Sequence, residues 1–174
     1  MAQAGIRRLT SQWSGRLRAA HFGAAHRRVR HQYSFFRGTQ MTKRLVNPAG
    51  LYDGSPIGLS HGTIDEESEL LFISGQVAWD LEQLVSDNTV AGQFRLALQN
   101  LRTVLAEADS GINELLHIRI YIRGELEEHM EALAPILTEF LGTARTAITG
   151  IGVSSLASKR TLVEVEAVAR LRRS

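Results

Sequence analysis

The sequence predicts an α+β domain in which two helices pack on one face of a mixed sheet, in the order β-β-α-β-α-β-β. Three observations carry this prediction. Apolar residues recur at spacings of three and four within residues 90–108 and 130–140, as they do on the buried face of a helix. Apolar and polar residues alternate within residues 117–123 and 163–171, as they do in a strand with one buried face. Clusters of glycine, proline, serine and aspartate separate these stretches and predict turns.

The first predicted elements form a hairpin. Turn-forming residues between positions 47 and 56 predict an extended chain with little helix before it. A first strand is expected over Leu59 to Ile64, followed by an acidic turn over residues 65–69. A second, largely buried strand is expected over Leu70 to Ser74, and it stops at Gly75. The two strands therefore lie side by side.

The two predicted helices come later in the chain. The first extends from Thr89 to Ala108, because its apolar residues form one stripe and residues 87–89 are all competent N-caps. The second starts late, near His129, and ends near Gly142. The late start is chosen because Pro135 is tolerated only in the first turn of a helix or at a kink.

The alternating stretches place polar side chains on one face of the sheet. The three isoleucines of residues 117–123 and every second residue from Val163 to Ala169 form an apolar face, which both helices should cover. The opposite face is then left to solvent or to other subunits. It carries His117, Arg119, Tyr121, Glu164 and Glu166.

A further strand-like run begins at Arg145. Arg145 shares its predicted face with Ala147 and Thr149, small neighbours that leave a guanidinium uncrowded. The glycines and serines at 150–155 are expected to end this strand, so that it lies beside residues 163–171 in one sheet. An arginine and two carboxylates would then occupy neighbouring strands. From the pattern alone, a cross-strand ion pair or a solvated face explains them as well as a binding site does.

Charge divides the chain into a basic extension, residues 1–40, and a domain, residues 41–174. The extension holds eight arginines, no lysine and no acid, whereas the domain has 12 basic and 18 acidic residues, a formal charge of −6. An arginine-rich, acid-free N-terminus is typical of a mitochondrial or plastid transit peptide, but a disordered leader or a nonspecific nucleic-acid-binding arm also fits. The predicted location is the cytoplasm, or the mitochondrion if residues 1–40 are a transit peptide.

Several classes of site are disfavoured by the sequence. The absence of cysteine excludes disulfides, thiol nucleophiles and cysteine-liganded metals. No apolar run approaches the length of a membrane span. His117 and His129 lack the spacing of paired metal ligands, and residues 150–152 lack the third glycine and following helix of a dinucleotide-binding loop. We therefore expect no metal site, no dinucleotide-binding loop and no membrane contact.

Three segments of the domain follow the pattern of a known family. They are LFISGQVA at 71–78, QFRLALQNLRTVLAEA at 93–108, and ARTAITGIGVSSL followed by VEVEAVA near the C-terminus. They resemble the Rid family of reactive-intermediate deaminases, also called the YjgF or L-PSP endoribonuclease family. The resemblance covers residues 45–171 in family order. It implies a chorismate-mutase-like subunit and a homotrimer whose ligand clefts lie between neighbouring subunits.

The resemblance also implies a reaction. Members of the deaminase type hydrolyse 2-aminoacrylate and related enamines or imines to 2-keto acids and ammonia, without a metal or organic cofactor. Arg145 matches the family's arginine that binds the substrate carboxylate, and Glu164 matches the glutamate that positions the attacking water or transfers protons. These residue types suit the roles, because a guanidinium offers two hydrogen bonds to a carboxylate and a carboxyl in a partly dry cleft can exchange protons.

Other positions depart from the family pattern. Thr143 stands where the family often has proline, Ala147 where it frequently has cysteine, and Leu59 in place of an aromatic residue near the first strand. These differences indicate a divergent subgroup with a different or broader ligand. RNA cleavage with translation inhibition and a noncatalytic trimer that binds small carboxylates are the alternative functions. The residues expected to line the substrate cleft are Arg145, Ala147, Leu59, Ser60 and Gly75.

Overall fold

A computed structural model of the protein describes residues 42–172. Their strands and helices, in chain order, are β1 (Lys43–Val46), β2 (Gly62–Asp65), β3 (Leu70–Val77), α1 (Val90–Glu107), β4 (Leu115–Arg123), α2 (Met130–Leu141), β5 (Ala147–Val153) and β6 (Val163–Arg170). Short 3-10 turns occur at Ser55–Ile57, Ile112–Glu114 and Leu126–His129. The predicted basic extension, residues 1–40, lies outside the described residues.

The strands form one mixed six-stranded sheet in the order β1-β2-β3-β6-β4-β5. Neighbouring strands are antiparallel except for β4 and β5, which run parallel. The two helices pack on this sheet, so the predicted α+β class is confirmed. β1 is an addition to the predicted order. Three of its four residues are exposed, and it therefore lacks the alternation that predicts a strand.

The core lies between the helices and the apolar face of the sheet. Alternate residues of β6 from Val163 to Ala169 are buried, as are the three isoleucines of β4. The first helix begins and ends within one residue of the prediction. Its N-cap is Thr89, whose hydroxyl accepts a hydrogen bond from the amide of Gly92 at 3.1 Å, one of the amides that a helix start leaves free. No helix within residues 42–172 is long and apolar enough to cross a bilayer.

The second helix follows the 3-10 turn Leu126–His129 and starts one residue after the predicted position. Gly142 is its C-cap, as predicted. Pro135 is nevertheless the sixth residue of α2 rather than part of its first turn. Its missing amide leaves the carbonyl of Glu131 without its helical partner. Both residues are exposed, so water can satisfy that carbonyl.

The first strand of the predicted hairpin begins later than expected. β2 starts three residues after Leu59, the predicted start. The carbonyl of Ser60 accepts a hydrogen bond from the Ser74 hydroxyl at 2.7 Å, and the amide of His61 donates to the side chain of Asn47 at 3.0 Å. These side-chain contacts replace regular strand pairing, so the segment is a fixed loop.

The second strand of the hairpin continues where the prediction ended it. β3 passes through Gly75 and reaches Val77, with a register shift between Ile73 and Gln76 in its pairing with β6. A shift of this kind is a β-bulge, which a glycine within a strand pattern often marks. Gly75 therefore bends the strand rather than ending it.

The prediction that the two C-terminal strands lie side by side is wrong, because β4 lies between β5 and β6. Gly150 and Gly152 were expected to end the strand, but they lie inside β5. A β-carbon at Gly152 would lie 2.6 Å from the carbonyl oxygen of Gly124, so this edge of the sheet requires glycine for a close approach. Arg145 precedes β5 by two residues, so its predicted place on one strand face with Ala147 is wrong.

Candidate functional site

The sheet face opposite the helices carries the polar side chains that the alternation predicted. His117, Arg119 and Tyr121 alternate with buried residues of β4, and Glu164 and Glu166 alternate with buried residues of β6. Strand pairing sets Arg119 opposite Glu166 and Tyr121 opposite Glu164. The two carboxylates therefore lie in one row, each facing a polar side chain of β4.

Glu166 is the paired carboxylate of this row. Nη1 of Arg119 lies 2.5 Å from Oε1 of Glu166, and both side chains are partly exposed. An exposed pair contributes about 0–1 kcal/mol to stability. A cavity of about 250 Å³ beside the pair is lined by Thr63, Phe72, Ile73, Ser74, His117, Arg119, Glu166, Ala167 and Val168.

Glu164 is the unpaired carboxylate of the row. Within residues 42–172 it forms no salt bridge or hydrogen bond, and it is half-buried. Burial raises the pKa of Glu164, and the negative charge of Glu166 raises it further, because desolvation and a like charge both disfavour the ionised form. Such a carboxyl exchanges protons nearer to neutral pH than an ordinary glutamate does. The structure thus separates two glutamates that the sequence pattern treats alike.

The bulge in β3 makes room for the Glu164 carboxylate. A β-carbon built on Gly75 would lie 2.6 Å from Cδ of Glu164, closer than real contacts allow. The preceding residue, Ser74, donates its hydroxyl to the carbonyl of Ser60 at 2.7 Å and its amide to that of His61 at 3.0 Å. Of the predicted site residues, the structure therefore brings Glu164 and Gly75 together and ties Ser60 to them through Ser74.

An aromatic cluster lies in the same region. The ring centroid of Tyr52, a residue that is 8% exposed, lies 4.7 Å from that of His61 and 5.3 Å from that of Trp79. Nε2 of His61 donates to the carbonyl of Tyr52 at 2.8 Å, and the Trp79 indole donates to the Thr161 hydroxyl at 3.2 Å. Burial raises the pKa of Tyr52, and the charge of Glu164 raises it further.

Leu59 has a supporting position beside this cluster. It is partly buried, and its side chain packs against the preceding turn, where a β-carbon on Gly54 would lie 3.1 Å from Cβ of Leu59. The leucine therefore fills the space inside the loop that joins Tyr52 to β2.

Arg145 lies in a different environment from Glu164. It is exposed, and its Nη1 donates to the carbonyls of Ala144 at 2.8 Å and Gly142 at 3.3 Å. Within residues 42–172 it has no acidic partner. Its guanidinium is therefore available to an external carboxylate.

The structure does not bring Arg145 and Glu164 together within one chain. Strand pairing aligns Glu164 with Tyr121 and Ile151 across the sheet. Arg145 lies six residues before Ile151, so the arginine and the carboxylate are on the order of 20 Å apart. Ala147 pairs with His117 at the start of β5. It is therefore nearer to Arg145 than to Glu164.

Sequence reasoning missed two residues of this region. Tyr52 lies in a stretch whose glycine, aspartate and proline predicted only turns, and Trp79 lies beyond the predicted end of its strand. A signal existed for Tyr52, because large aromatic residues in turns are commonly packed against something. For the bulge, the signal was a glycine inside an apolar strand pattern.

The histidines of the region have structural contacts. His61 is bonded to the Tyr52 carbonyl, and Nε2 of His117 lies 3.3 Å from the Thr149 hydroxyl. In the part of the chain that the structure describes, no group of three or more histidine, cysteine, aspartate or glutamate side chains is arranged to hold a metal ion.

Comparisons with known proteins agree with this fold. The model of the family described as Endoribonuclease L-PSP matches residues 58–171. Protein mmf1, mitochondrial, of Schizosaccharomyces pombe is 24% identical over 166 residues, which are 94% of this chain and 98% of that protein. Among solved structures, YyfB, a Rid family protein of Yersinia pestis, has 31% sequence identity to this chain and superposes with a TM-score of 0.56. The yeast protein YEO7 has 20% sequence identity and superposes with a TM-score of 0.67. Each structural match covers 75% of this chain and 100% of the other. The family match includes Gly75, Arg145 and Glu164, whereas Tyr52 precedes it.

Proposed function

The chain belongs to the Endoribonuclease L-PSP family, also known as the Rid or YjgF family, and on this premise we propose that it is a hydrolytic deaminase of small enamine or imine acids. Its substrates are of the 2-aminoacrylate type, and its products are 2-keto acids and ammonia. The observation that carries the proposal is Glu164, a half-buried carboxyl with a raised pKa and no ion pair within residues 42–172. A carboxyl in such surroundings suits proton transfer better than stabilisation of the fold.

Glu164 positions the attacking water and moves its protons. As the water oxygen bonds to the carbon of the protonated imine, the carboxylate accepts one proton of the water and a carbinolamine forms. The carboxyl then returns that proton to the amine nitrogen. The C–N bond breaks, the carbonyl of the keto acid forms, and the hydroxyl proton leaves with ammonia as ammonium. A raised pKa suits a group that both accepts and returns a proton near neutral pH.

Arg145 binds the carboxylate of the substrate. Its planar guanidinium offers two parallel hydrogen bonds to a carboxylate and stays charged at any working pH. The bonds to the carbonyls of Gly142 and Ala144 use only Nη1, so donors on the rest of the guanidinium are available to a ligand.

A homotrimer with clefts at the subunit boundaries completes the proposed site. In one chain, Arg145 and Glu164 are on the order of 20 Å apart, too far for a small acid whose carboxylate adjoins the imine carbon. The sheet face opposite the helices is available to a partner, and Phe72 on that face is 49% exposed. Arg145 and Ala147 of one subunit would then meet Glu164 of a neighbour. Leu59, Ser60 and Gly75 belong to the Glu164 side of the cleft.

RNA cleavage is the alternative that the family's name brings. Residues 41–174 carry a formal charge of −6, which opposes contacts with phosphates. The basic residues that would favour RNA belong to the extension, outside the described residues. A noncatalytic trimer that binds carboxylates needs Arg145, but it leaves the raised pKa of Glu164 without a role. Both alternatives are outcomes of the test below.

The test generates 2-aminoacrylate and 2-iminobutanoate in solution and follows their decay with and without the protein. Wild type accelerates both, whereas Arg145→Ala and Glu164→Gln each lower kcat/KM by roughly 100-fold, the loss expected for about 3 kcal/mol of charge-assisted contact. Arg170→Ala is the matched control, because Arg170 is exposed at the end of β6. Light scattering reports the trimer in each variant.

Four outcomes go against the deaminase. No acceleration by wild type, or full activity of Arg145→Ala, contradicts the proposal directly. RNA degradation without imine turnover favours the nuclease. Calorimetric binding of small carboxylates without turnover favours the noncatalytic trimer.

For the cellular location we propose the mitochondrion rather than the cytoplasm. The similar Schizosaccharomyces pombe protein is called mitochondrial, and residues 1–40 have the composition of a transit peptide. Fusion of residues 1–40 to a fluorescent protein tests this, and a diffuse cytoplasmic signal contradicts it.

A further inference from the structure

We propose that Tyr52 is a specificity-determining residue of the Glu164 site, with its ring forming the aromatic wall and its hydroxyl donating a hydrogen bond to the bound ligand. The inference rests on the proposed deaminase function and adds a residue to it. The aromatic group expected near the first strand is absent at Leu59. Tyr52 supplies one from a different part of the chain, before the residues that match the family.

The Tyr52 ring has a fixed orientation although it lies in a turn. Tyr52 is 8% exposed, and its carbonyl is held by Nε2 of His61 at 2.8 Å. The imidazole meets the Tyr52 ring edge-on, with a centroid distance of 4.7 Å and an interplanar angle of 74°. The indole of Trp79 packs at 5.3 Å. Aromatic groups in these arrangements hold each other in place, so the ring is a preformed surface.

Two sets of contacts connect this ring to the immediate surroundings of Glu164. Trp79, which packs on the ring, donates to Thr161, three residues before Glu164 in the chain. On the other side, the carbonyl of His61 accepts the amide of Ser74 at 3.0 Å. Ser74 precedes Gly75, over which the Glu164 carboxylate lies. The aromatic wall and the carboxylate are therefore anchored to the same short segments.

The hydroxyl of Tyr52 is available for a ligand. It forms no hydrogen bond with another residue of 42–172, and it is not among the buried polar atoms without a partner in that range. Burial and the charge of Glu164 both raise the pKa of Tyr52, so the phenol remains protonated and donates at neutral pH. The other charged or titratable groups of this face are His61, His117, Arg119, Tyr121 and Glu166.

A donor in the surroundings of a carboxylate fits the chemistry of imine hydrolysis. Glu164 accepts the proton of the attacking water, and the oxygen of that water becomes the hydroxyl of the carbinolamine and then the carbonyl of the keto acid. Tyr52 would donate to this oxygen once it is bonded to carbon. The contact strengthens as the oxygen becomes a carbonyl, so it also stabilises bound keto acid.

The experiment compares Tyr52→Phe with Tyr33→Phe in the full chain. Both changes remove one phenol hydroxyl and keep the ring, but Tyr33 belongs to the basic extension, before the residues that match the family. We expect Tyr52→Phe to weaken calorimetric binding of 2-oxobutanoate roughly tenfold, as for a lost hydrogen bond to a ligand, and to lower kcat/KM for 2-iminobutanoate to a similar extent. Tyr33→Phe should change neither value. Tyr52→Leu should lose further affinity, because the ring is lost as well.

A titration tests the geometry independently of activity. The chain has three tyrosines, Tyr33, Tyr52 and Tyr121, so carbon-13 labelling of the phenol carbon gives three resonances that Tyr→Phe variants assign. Glu164→Gln should lower the pKa of Tyr52 relative to wild type. A merely structural tyrosine, whose hydroxyl faces away from Glu164, would titrate identically in the two proteins, and that result overturns the inference.

The remaining outcomes separate this inference from the proposed function. If wild type is active and Tyr52→Phe has the same activity and affinity, the role of Tyr52 is overturned and the deaminase proposal stands. If wild type binds 2-oxobutanoate but does not hydrolyse imines, the deaminase proposal is overturned. The affinity of Tyr52→Phe for 2-oxobutanoate then decides the role of the hydroxyl. Wild type that does neither overturns both.

Discussion

The surroundings of Glu164 and those of Arg145 differ in how much of a site the single chain builds. Glu164 lies on β6, an interior strand of the sheet, half-buried above a glycine bulge and near an aromatic cluster. Arg145 is exposed before β5, the edge strand, and bonds only to carbonyls of its own segment. One region is enclosed by the fold, and the other is presented outward. The difference supports our proposal that each chain contributes two half-sites rather than one whole site.

The physical reason for this difference is position in the sheet. An interior strand has neighbours on both sides, so β3 and β4 can supply Gly75 and Tyr121 to the surroundings of Glu164. An edge strand has one neighbour, and a residue beyond its end has none. Desolvation therefore raises the pKa of Glu164, whereas the Arg145 guanidinium stays hydrated until a partner or ligand covers it.

The largest effect should come from mixing two inactive variants. Arg145→Ala and Glu164→Gln each retain one intact half-site, so a trimer that contains both can assemble complete clefts. If the variants are refolded together in equal amounts, about a quarter of the clefts combine two intact halves, and activity should return to about a quarter of wild type. The measurement is kcat per cleft for 2-iminobutanoate.

Each variant refolded alone is the control for this mixture, and it should remain inactive. No recovery in the mixture, with trimers intact by light scattering, would show that both residues act within one chain. The comparison between an enclosed and an outward half-site would then fail.

A smaller effect should follow from closing the bulge. Gly75→Ala places a methyl group where the Glu164 side chain lies, so the carboxylate must move. We expect kcat/KM to fall by roughly 100-fold, as for a displacement of about 1 Å of a reacting group, while the free energy of unfolding changes by about 1 kcal/mol or less. Gly50→Ala is the control, because a β-carbon there meets nothing within 4 Å. Equal activities of the two variants would contradict the close contact.

The smallest effect concerns stability and distinguishes the two carboxylates. The pKa of Glu164 is raised in the folded state above the ordinary value of 4.5. Between the ordinary pKa and the raised pKa, the folded protein therefore binds more protons than the unfolded chain. Its free energy of unfolding falls as the pH rises through this range. Glu164→Gln removes this loss, so its Tm should exceed that of wild type by roughly 2 °C at pH 7 and equal it below about pH 4.

Glu166→Gln is the matched change, because it removes a carboxylate that pairs with Arg119. Its Tm should fall slightly, by the equivalent of about 0–1 kcal/mol. Thermal scans at several pH values measure both variants. A Tm difference for Glu164→Gln that does not depend on pH would rule out the raised pKa as its cause.

Much of the fold follows from local periodicity, because a buried face leaves its period in the sequence. The limits of α1 and the polar row from His117 to Glu166 were predictable for this reason. Strand order was not, since the position of β4 between β5 and β6 depends on pairing between distant segments. The short β1 has three exposed residues and no period to detect.

The candidate site was predictable to a smaller extent. Family resemblance selected Arg145 and Glu164, and the structure adds a physical difference between Glu164 and Glu166, because Glu166 pairs across the strands with Arg119. Tyr52 could not be assigned, because its packing depends on Trp79, which is distant in the chain. Sites combine residues from several elements, and sequence patterns describe one element at a time.

The loop between β1 and β2 also has a consequence for how such a protein diversifies. It contains Tyr52 and forms no sheet pairing; the Ser74 hydroxyl attaches it to β3, and the Asn47 side chain joins its two ends. The scaffold and the proposed proton-transfer group are therefore in the sheet, whereas the residue that we propose for ligand selection is in a separate loop. We expect that exchange of this loop between relatives would transfer ligand preference while the fold and Glu164 stay unchanged. For an engineer, it is the natural place to build a library.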